Sequence, residues 1–278
     1  MPEKYNPQRL ATVLYSHYRT IASWPQLRSC IRRNCGNPNT LSFIMIIDLI
    51  PPENYKQVEL MNRNTDNGSK VYTPLTLKLY DWWVLRVSNR LAWGCPTKEY
   101  LLPHFLRHLG KKHLDIGVGT GYYLTHAPES RLISLMDLNE ASLSAASTRA
   151  GETKIQSKIT HDVFEPYPKT LHNQFDSISM FYLLHCLPGD MSAKGCVIQN
   201  AAQALTDNGT LYGATILGDG VKHNTFGQKL MRIYNRKGIF SNTGDSEAGL
   251  TQILSEYFED VKTTVKGTVV MFSASGKK

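Results

Sequence analysis

The sequence has no apolar stretch long enough to cross a bilayer. A spanning helix needs roughly 20 apolar residues, and the best run here, Leu41 to Ile50, is about half that length and carries Asp48. No membrane partner is expected. Cysteine is also scarce. Cys30, Cys35, Cys95, Cys186 and Cys196 are odd in number and scattered, without the paired spacings of zinc sites or disulfide frameworks. That pattern predicts no structural metal and a reducing compartment. Lys and Arg give a formal charge of +8 but never form a long run, so charge does not mark a nucleic-acid partner. The sequons at Asn67 and Asn208 both begin with Asn-Gly and read as turns in any compartment.

Acidic residues are missing from most of the N-terminal segment. None lies between Glu3 and Asp48, whereas Arg9, Arg19, Arg28, Arg32 and Arg33 do. The composition fits a mitochondrial transit peptide, a poorly ordered tail, or upstream sequence joined to a domain whose natural start lies near Met61. Residues 1–69 are therefore read as an extension without assigned function. The cytoplasm is the expected compartment and the mitochondrion the alternative.

From Thr73 to Leu109 the apolar residues recur at helical spacing, interrupted by Gly94-Cys95-Pro96. Two or three helices are expected there, a lid over residues 70–110. From residue 111 to 278 strands and helices alternate, which predicts a mostly parallel sheet. The strands are placed at His113 to Ile116, Leu132 to Met136, Ile155 to Thr160, Phe175 to Phe181 and Thr210 to Leu217. Val261 to Val265 and Thr268 to Phe272 are joined only by Lys266-Gly267, too short for a crossover, so they form an antiparallel hairpin.

The most informative stretch is His113-Leu-Asp-Ile-Gly-Val-Gly-Thr-Gly-Tyr122. A strand ending at Asp115, glycines at Gly117, Gly119 and Gly121, and a following helix would make a shelf on which a cofactor meets bare backbone. A dinucleotide fingerprint needs G-x-G-x-x-G, but here the third glycine comes one residue early and Tyr122 stands where that motif has glycine or alanine. Asp137 ends the second strand about 20 residues after the glycines, where a carboxylate can accept from both hydroxyls of a ribose. His161-Asp162-Val163-Phe164 follows the third strand.

The D-x-G-x-G-x-G arrangement resembles the first motif of the class I S-adenosylmethionine-dependent methyltransferases. Residues 71–275 are similar to one bacterial and fungal family of that class. The likeness runs through Tyr80-Asp81, the Asn89 to Pro96 segment, His113 to Tyr122, Leu183-Leu-His-Cys-Leu-Pro-Gly189, Gly213 to Gly218 and Tyr234 to Phe240. The resemblance implies an α/β, Rossmann-like, seven-stranded fold with an N-terminal helical lid and a C-terminal antiparallel hairpin. It also implies S-adenosylmethionine as cofactor and a small organic acceptor, as in secondary metabolism. The cofactor-binding residues it implies are Tyr72, Tyr80, Asp115, Gly117, Gly119, Gly121, Asp137, Leu138, Asp162, Val163 and Tyr182. In the class, the acid at Asp162 bonds the adenine amino group while its neighbour packs on the ring.

Methyl transfer from a sulfonium is an in-line displacement, so the protein supplies positioning and, for a hydroxyl or acidic carbon, a base. His185 and His223 follow the fourth and fifth strands, where a doubly wound sheet opens its crevice, and both are candidate bases. Phe181 to Leu184 make the approach to His185 apolar, which predicts a neutral ring. An amino-methylating nucleic-acid enzyme would carry Asp/Asn-Pro-Pro-Tyr where this chain has Phe181-Tyr-Leu-Leu-His185, and Cys95-Pro96 reverses the Pro-Cys of a cytosine carbon-5 enzyme. The competing reading is a protein that keeps fold and cofactor but catalyses a cyclisation or rearrangement, or only binds.

Overall fold

The computed structural model describes residues 82–278. The extension at 1–69, the first part of the lid, and the cofactor candidates Tyr72 and Tyr80 lie outside the described residues.

Seven strands form one sheet in the order β3-β2-β1-β4-β5-β7-β6. They are β1 (Lys112–Ile116), β2 (Leu132–Asp137), β3 (Ile155–Thr160), β4 (Phe175–Phe181), β5 (Leu205–Ile216), β6 (Phe258–Lys266) and β7 (Val269–Lys277). Strands β1 to β5 pair in parallel, and β7 runs antiparallel to both β5 and β6. The strand order reverses between β1 and β4, which opens a crevice at their carboxyl ends. Central strands are buried on both faces, as in the Ile133 to Met136 run of β2, because helices cover both sides. The outermost strand β3 instead alternates half-buried with exposed residues.

One face packs Leu114, Ile116, Ile178, Met180 and Leu211 into a core with α3 (Gly195–Ala204) and α5 (Glu247–Tyr257). The other packs Tyr212, Ala214 and Met271 into a core with α1 (Leu102–His108) and α2 (Glu140–Ala150). Asn139 caps α2 by accepting the Ala141 N–H, and Asn224 and Ser246 do the same for Gly227 and Gly249 at α4 (Thr225–Arg236) and α5.

The lid segment contributes two helices within the described residues. Trp82–Ala92 is a π-wound helix, and a π-turn at Thr97–Leu101 leads into α1. Gly94 and the hairpin glycine Gly267, both at positive φ, let this segment touch the β6–β7 turn. Thr268 N–H donates to the Trp93 carbonyl at 2.8 Å, and a Cβ on Gly267 would lie 2.0 Å from that oxygen.

Two sequence expectations change. The glycine loop leads not into a helix but into a single 3₁₀ turn, Tyr123–His126. The Thr125 hydroxyl donates to the Tyr122 carbonyl, competing with the helical ladder, and Pro128 cannot continue it. Strand β5 begins at Leu205 rather than Thr210, yet Asn208-Gly209 still breaks its pairing. Phe175 opposes Leu205 and Ser177 opposes Thr210, so the chain bulges out there before the ladder becomes regular.

Candidate functional site

The glycine loop hangs from the end of β1. Gly117 N–H donates to the Met136 carbonyl of β2 at 2.9 Å and Gly121 N–H closes back on the Val118 carbonyl. At Gly121 (φ 68°) a Cβ would lie 2.9 Å from the Ala146 Cα, so only glycine lets the loop rest on α2. At Gly119 nothing among the described residues stands within 4 Å of an added Cβ, so they leave the loop's middle uncovered.

Asp137 stands beside that opening. Its Oδ1 accepts the Asn139 N–H at 2.9 Å, and its carboxylate also takes backbone bonds from Val118, in the glycine loop, and Leu138. Burial raises its pKa and these donors pull it back. Leu138, next in the chain, is 68% exposed and is the large apolar side chain left open there. Across β3, Asp162 accepts the Phe164 N–H at 3.0 Å. Val163 is buried in the core, so it offers little open surface to a ring, and its carbonyl accepts from the Asn200 amide. Asp115, two residues before Gly117, is buried, with Ser179 donating to its Oδ1. Burial pushes its pKa up to about 7.

Tyr182 follows β4 at φ 60°, a conformation costly for a non-glycine residue. The Tyr182 N–H donates to the Ala214 carbonyl, and its hydroxyl donates to Asn89 Oδ1 at 2.9 Å. The Asn89 amide donates to Thr97 Oγ1, and Thr97 donates to the Leu85 carbonyl. The strand end is thereby tied to the lid helices through a buried polar chain.

The two histidines differ in which nitrogen is free. His185, on a 3₁₀ turn at Leu184–Cys186, is buried. The Ile216 N–H, past the end of β4, donates to its Nδ1 at 3.4 Å, with Thr215 Oγ1 at 3.2 Å. That assigns the proton of the neutral ring to Nε2. Burial, and secondarily the Lys194 charge, lower the His185 pKa to about 3. His223 instead donates from Nε2 to the Leu217 carbonyl at 2.8 Å, which leaves a lone pair on Nδ1. This buried Nδ1 has no hydrogen-bond partner among the described residues and lies beside Gly227 of α4.

Aromatic rings connect these groups. Phe240 packs edge-on to His185 at 4.4 Å, and Trp93 stands 6.0 Å from His223 and 6.2 Å from Phe240. The loop that carries Phe240 is held by a buried ion pair, Lys194 Nζ to Asp245 at 2.7 Å, with a second bond from Lys194 to the Ser241 carbonyl. Sequence reasoning gave Asn89 and Phe240 no individual roles and missed the Lys194–Asp245 pair. Its members stand 51 residues apart with no motif spacing to mark them.

Residues 114–211 match the family model described as a methyltransferase domain. An uncharacterized protein of Escherichia coli K12, YbcY, is 83% identical over 192 residues, covering 69% of this chain and 99% of its own length. The physcion biosynthesis cluster O-methyltransferase of Aspergillus chevalieri is 42% identical over 216 residues, covering 77% of this chain and 97% of that enzyme. Among solved structures, a Haemonchus contortus phosphoethanolamine N-methyltransferase complexed with S-adenosylhomocysteine superposes with a TM-score of 0.52. It is 14% identical, over 75% of this chain and 59% of that one, and so speaks to the fold alone. With a relative of assigned activity aligned over nearly its whole length, the glycine loop at the strand-order reversal and Asp137 at the end of the neighbouring β2, the chain belongs to the class I S-adenosylmethionine-dependent methyltransferases.

Proposed function

We propose that this protein moves a methyl group from S-adenosylmethionine to a small organic acceptor, a secondary metabolite, held where β4 and β5 end. The observation that carries this reading is the convergence of the open glycine loop, the Asp137 carboxylate bonded to that loop's backbone, and the exposed Leu138. Together they offer bare backbone, an acceptor for ribose hydroxyls and an apolar surface, a combination that suits a nucleoside without phosphates. The cofactor supplies an electrophilic methyl on a cationic sulfur. This chain's residues orient the two reactants, exclude water through the ring cluster of Trp93, Phe240 and Tyr182, and remove a proton where the acceptor is a hydroxyl.

Of the two histidines, His223 carries the lone pair suited to a base, because Leu217 fixes its tautomer. His185 acts as a positioning residue. Its Nδ1 takes the Ile216 N–H where β4 runs out, and its ring sets the place of Phe240. A screen of hydroxylated metabolite extracts with methyl-labelled cofactor tests the activity. Labelled product is expected. Calorimetric cofactor binding without labelled product from any extract would instead favour a binding role or a rearrangement.

A further inference from the structure

His113 is a fully buried histidine in β1 that methyl transfer as described above does not use. The parallel register sets it beside Ser177 of β4, and sets Asp115 beside Ser179. Alternation along each strand puts all four side chains on one face of the sheet. Gly110 N–H donates to Ser177 Oγ at 2.8 Å, Ser177 Oγ is 2.8 Å from His113 Nδ1, and His113 Nε2 is 3.1 Å from Ser179 Oγ. Ser179 then donates to Asp115 Oδ1. The chain runs from the start of β1 to the acid that opens the glycine loop.

We propose that His113 and Ser179 are positioning residues for the cofactor, forming with Ser177 a buried relay whose hydrogen-bond direction records and sets the charge on Asp115. The proposal rests on the cofactor reading above.

Two directions run consistently through this chain of contacts. With Asp115 ionised, Ser177 donates to Nδ1, Nε2–H donates to Ser179, and Ser179 donates to the carboxylate. With Asp115 protonated, its O–H donates to Ser179, Ser179 donates to Nε2, and Nδ1–H donates to Ser177. The oxygen of Ser177 has lone pairs for both that donor and Gly110. The second arrangement holds one more proton than the first, the one bound at Asp115, and the imidazole stays neutral in both. Burial favours that neutrality by lowering the His113 pKa to about 3.

Of the influences on the carboxyl, burial and the Asp137 charge raise its pKa while the Ser179 hydrogen bond lowers it. Asp137 at the end of β2 adds like charge. The Tyr212 phenol of β5 pairs in register with Ser179 and is buried. The rings of His104 and His108 on α1 stack near Tyr212, at 6.0 and 5.3 Å, and burial keeps His104 neutral as well. Among the described residues no cation offsets the Asp137 charge at Asp115. S-adenosylmethionine and its product bring an ammonium, and that charge favours the ionised form, so binding should expel the Asp115 proton to solvent.

Two measurements test this. In the ligand-free protein, the ¹⁵N shifts of the His113 ring should switch from the Nδ1–H to the Nε2–H tautomer as pH rises, with a midpoint near 7. In Ser179→Ala that coupling should be lost, and Ser177→Ala, which breaks only the far end, should retain the Asp115 titration with a shifted midpoint. A His113 tautomer fixed from pH 5.5 to 8.5 overturns the relay, whether or not the protein binds cofactor. Calorimetry with S-adenosylhomocysteine, in buffers of differing ionisation enthalpy, should show close to one proton released below the midpoint. Affinity should weaken up to about tenfold per pH unit there, and Ser179→Ala should weaken it about tenfold at pH 7 while approaching wild type at pH 8.5. Binding without proton release or pH dependence overturns the coupling alone, whereas absence of binding at every pH overturns the cofactor reading with it.

Discussion

At Asp137 the charge and the geometry make the sharpest single-residue claim. Its carboxylate already accepts backbone bonds from Asn139, Val118 and Leu138, so removing it both frees those donors and deletes the proposed acceptor for the ribose. Asp137→Ala is expected to weaken S-adenosylhomocysteine binding by about 1.5–3 kcal/mol. A calorimetric change within a few-fold would place the ribose elsewhere. The histidines separate by which nitrogen is occupied. His223→Gln keeps an amide donor for the Leu217 carbonyl but has no base, so kcat with a hydroxyl acceptor should fall about 10²–10⁴-fold while cofactor affinity holds. His185→Gln should act mainly through packing against Phe240. If His185→Gln gives the large kcat loss and His223→Gln does not, the assignment is reversed. The placement of Asp115, Asp137 and the three glycines at strand ends and in the connecting loop was legible in the sequence because strand and loop chemistry repeat at fixed spacing. Which histidine held a free lone pair was not, since that depends on the Leu217 carbonyl and the Ile216 N–H, partners supplied only by the folded sheet.

Strands and helices were legible to different degrees for physical reasons. The β6–β7 hairpin could be read from its two-residue connection, and the parallel strands from their apolar runs. A helix after the glycines could not be refused from periodicity alone, because the Thr125 hydroxyl and Pro128 act locally against it. The contact between the lid and the sheet was equally hidden, since Asn89 and Tyr182 are 93 residues apart. That contact explains why Tyr182 stands at φ 60°: the strained backbone is held by a hydroxyl that anchors Asn89, Thr97 and the end of the π-wound helix. Tyr182→Phe leaves the Asn89 oxygen buried without its donor and should lower stability by about 1–2 kcal/mol. It should also loosen cofactor retention, read as a faster dissociation rate. Unchanged melting and dissociation would show that Asn89 finds another donor and that the tie carries little.

Across the whole molecule, the buried layer between the sheet and α1 is far more polar than the alternation of β1 and β4 suggests. It holds neutral histidines and, in Asp115, a carboxyl that titrates near neutral pH, and their titration contributes to how the fold responds to acid. Burial lowers His104 to about 4 and His113 and His185 to about 3, from an ordinary 6.5. Each contributes stability that is complete above pH 6.5 and is lost as pH falls toward the folded value. Asp115 works oppositely. Raised from 3.8 to about 7, it favours the fold on the acid side and loses that contribution as pH rises through this window. Between about pH 6 and 4.5, unfolding therefore takes up three imidazole protons and releases one from Asp115, a net uptake of about two. Asp137 and Asp245, also raised by burial, reduce that number. At about 1.4 kcal/mol per proton per pH unit, stability should drop by up to about 2.8 kcal/mol for each unit of acidification. Urea midpoints at pH 7, 6 and 5 measure the slope directly. His104→Gln, which keeps a donor for the Phe272 carbonyl, should remove about one proton from it. A flat midpoint across that range, or a slope unchanged in His104→Gln, would mean that these rings are hydrated in the fold and that the polar layer opens to water.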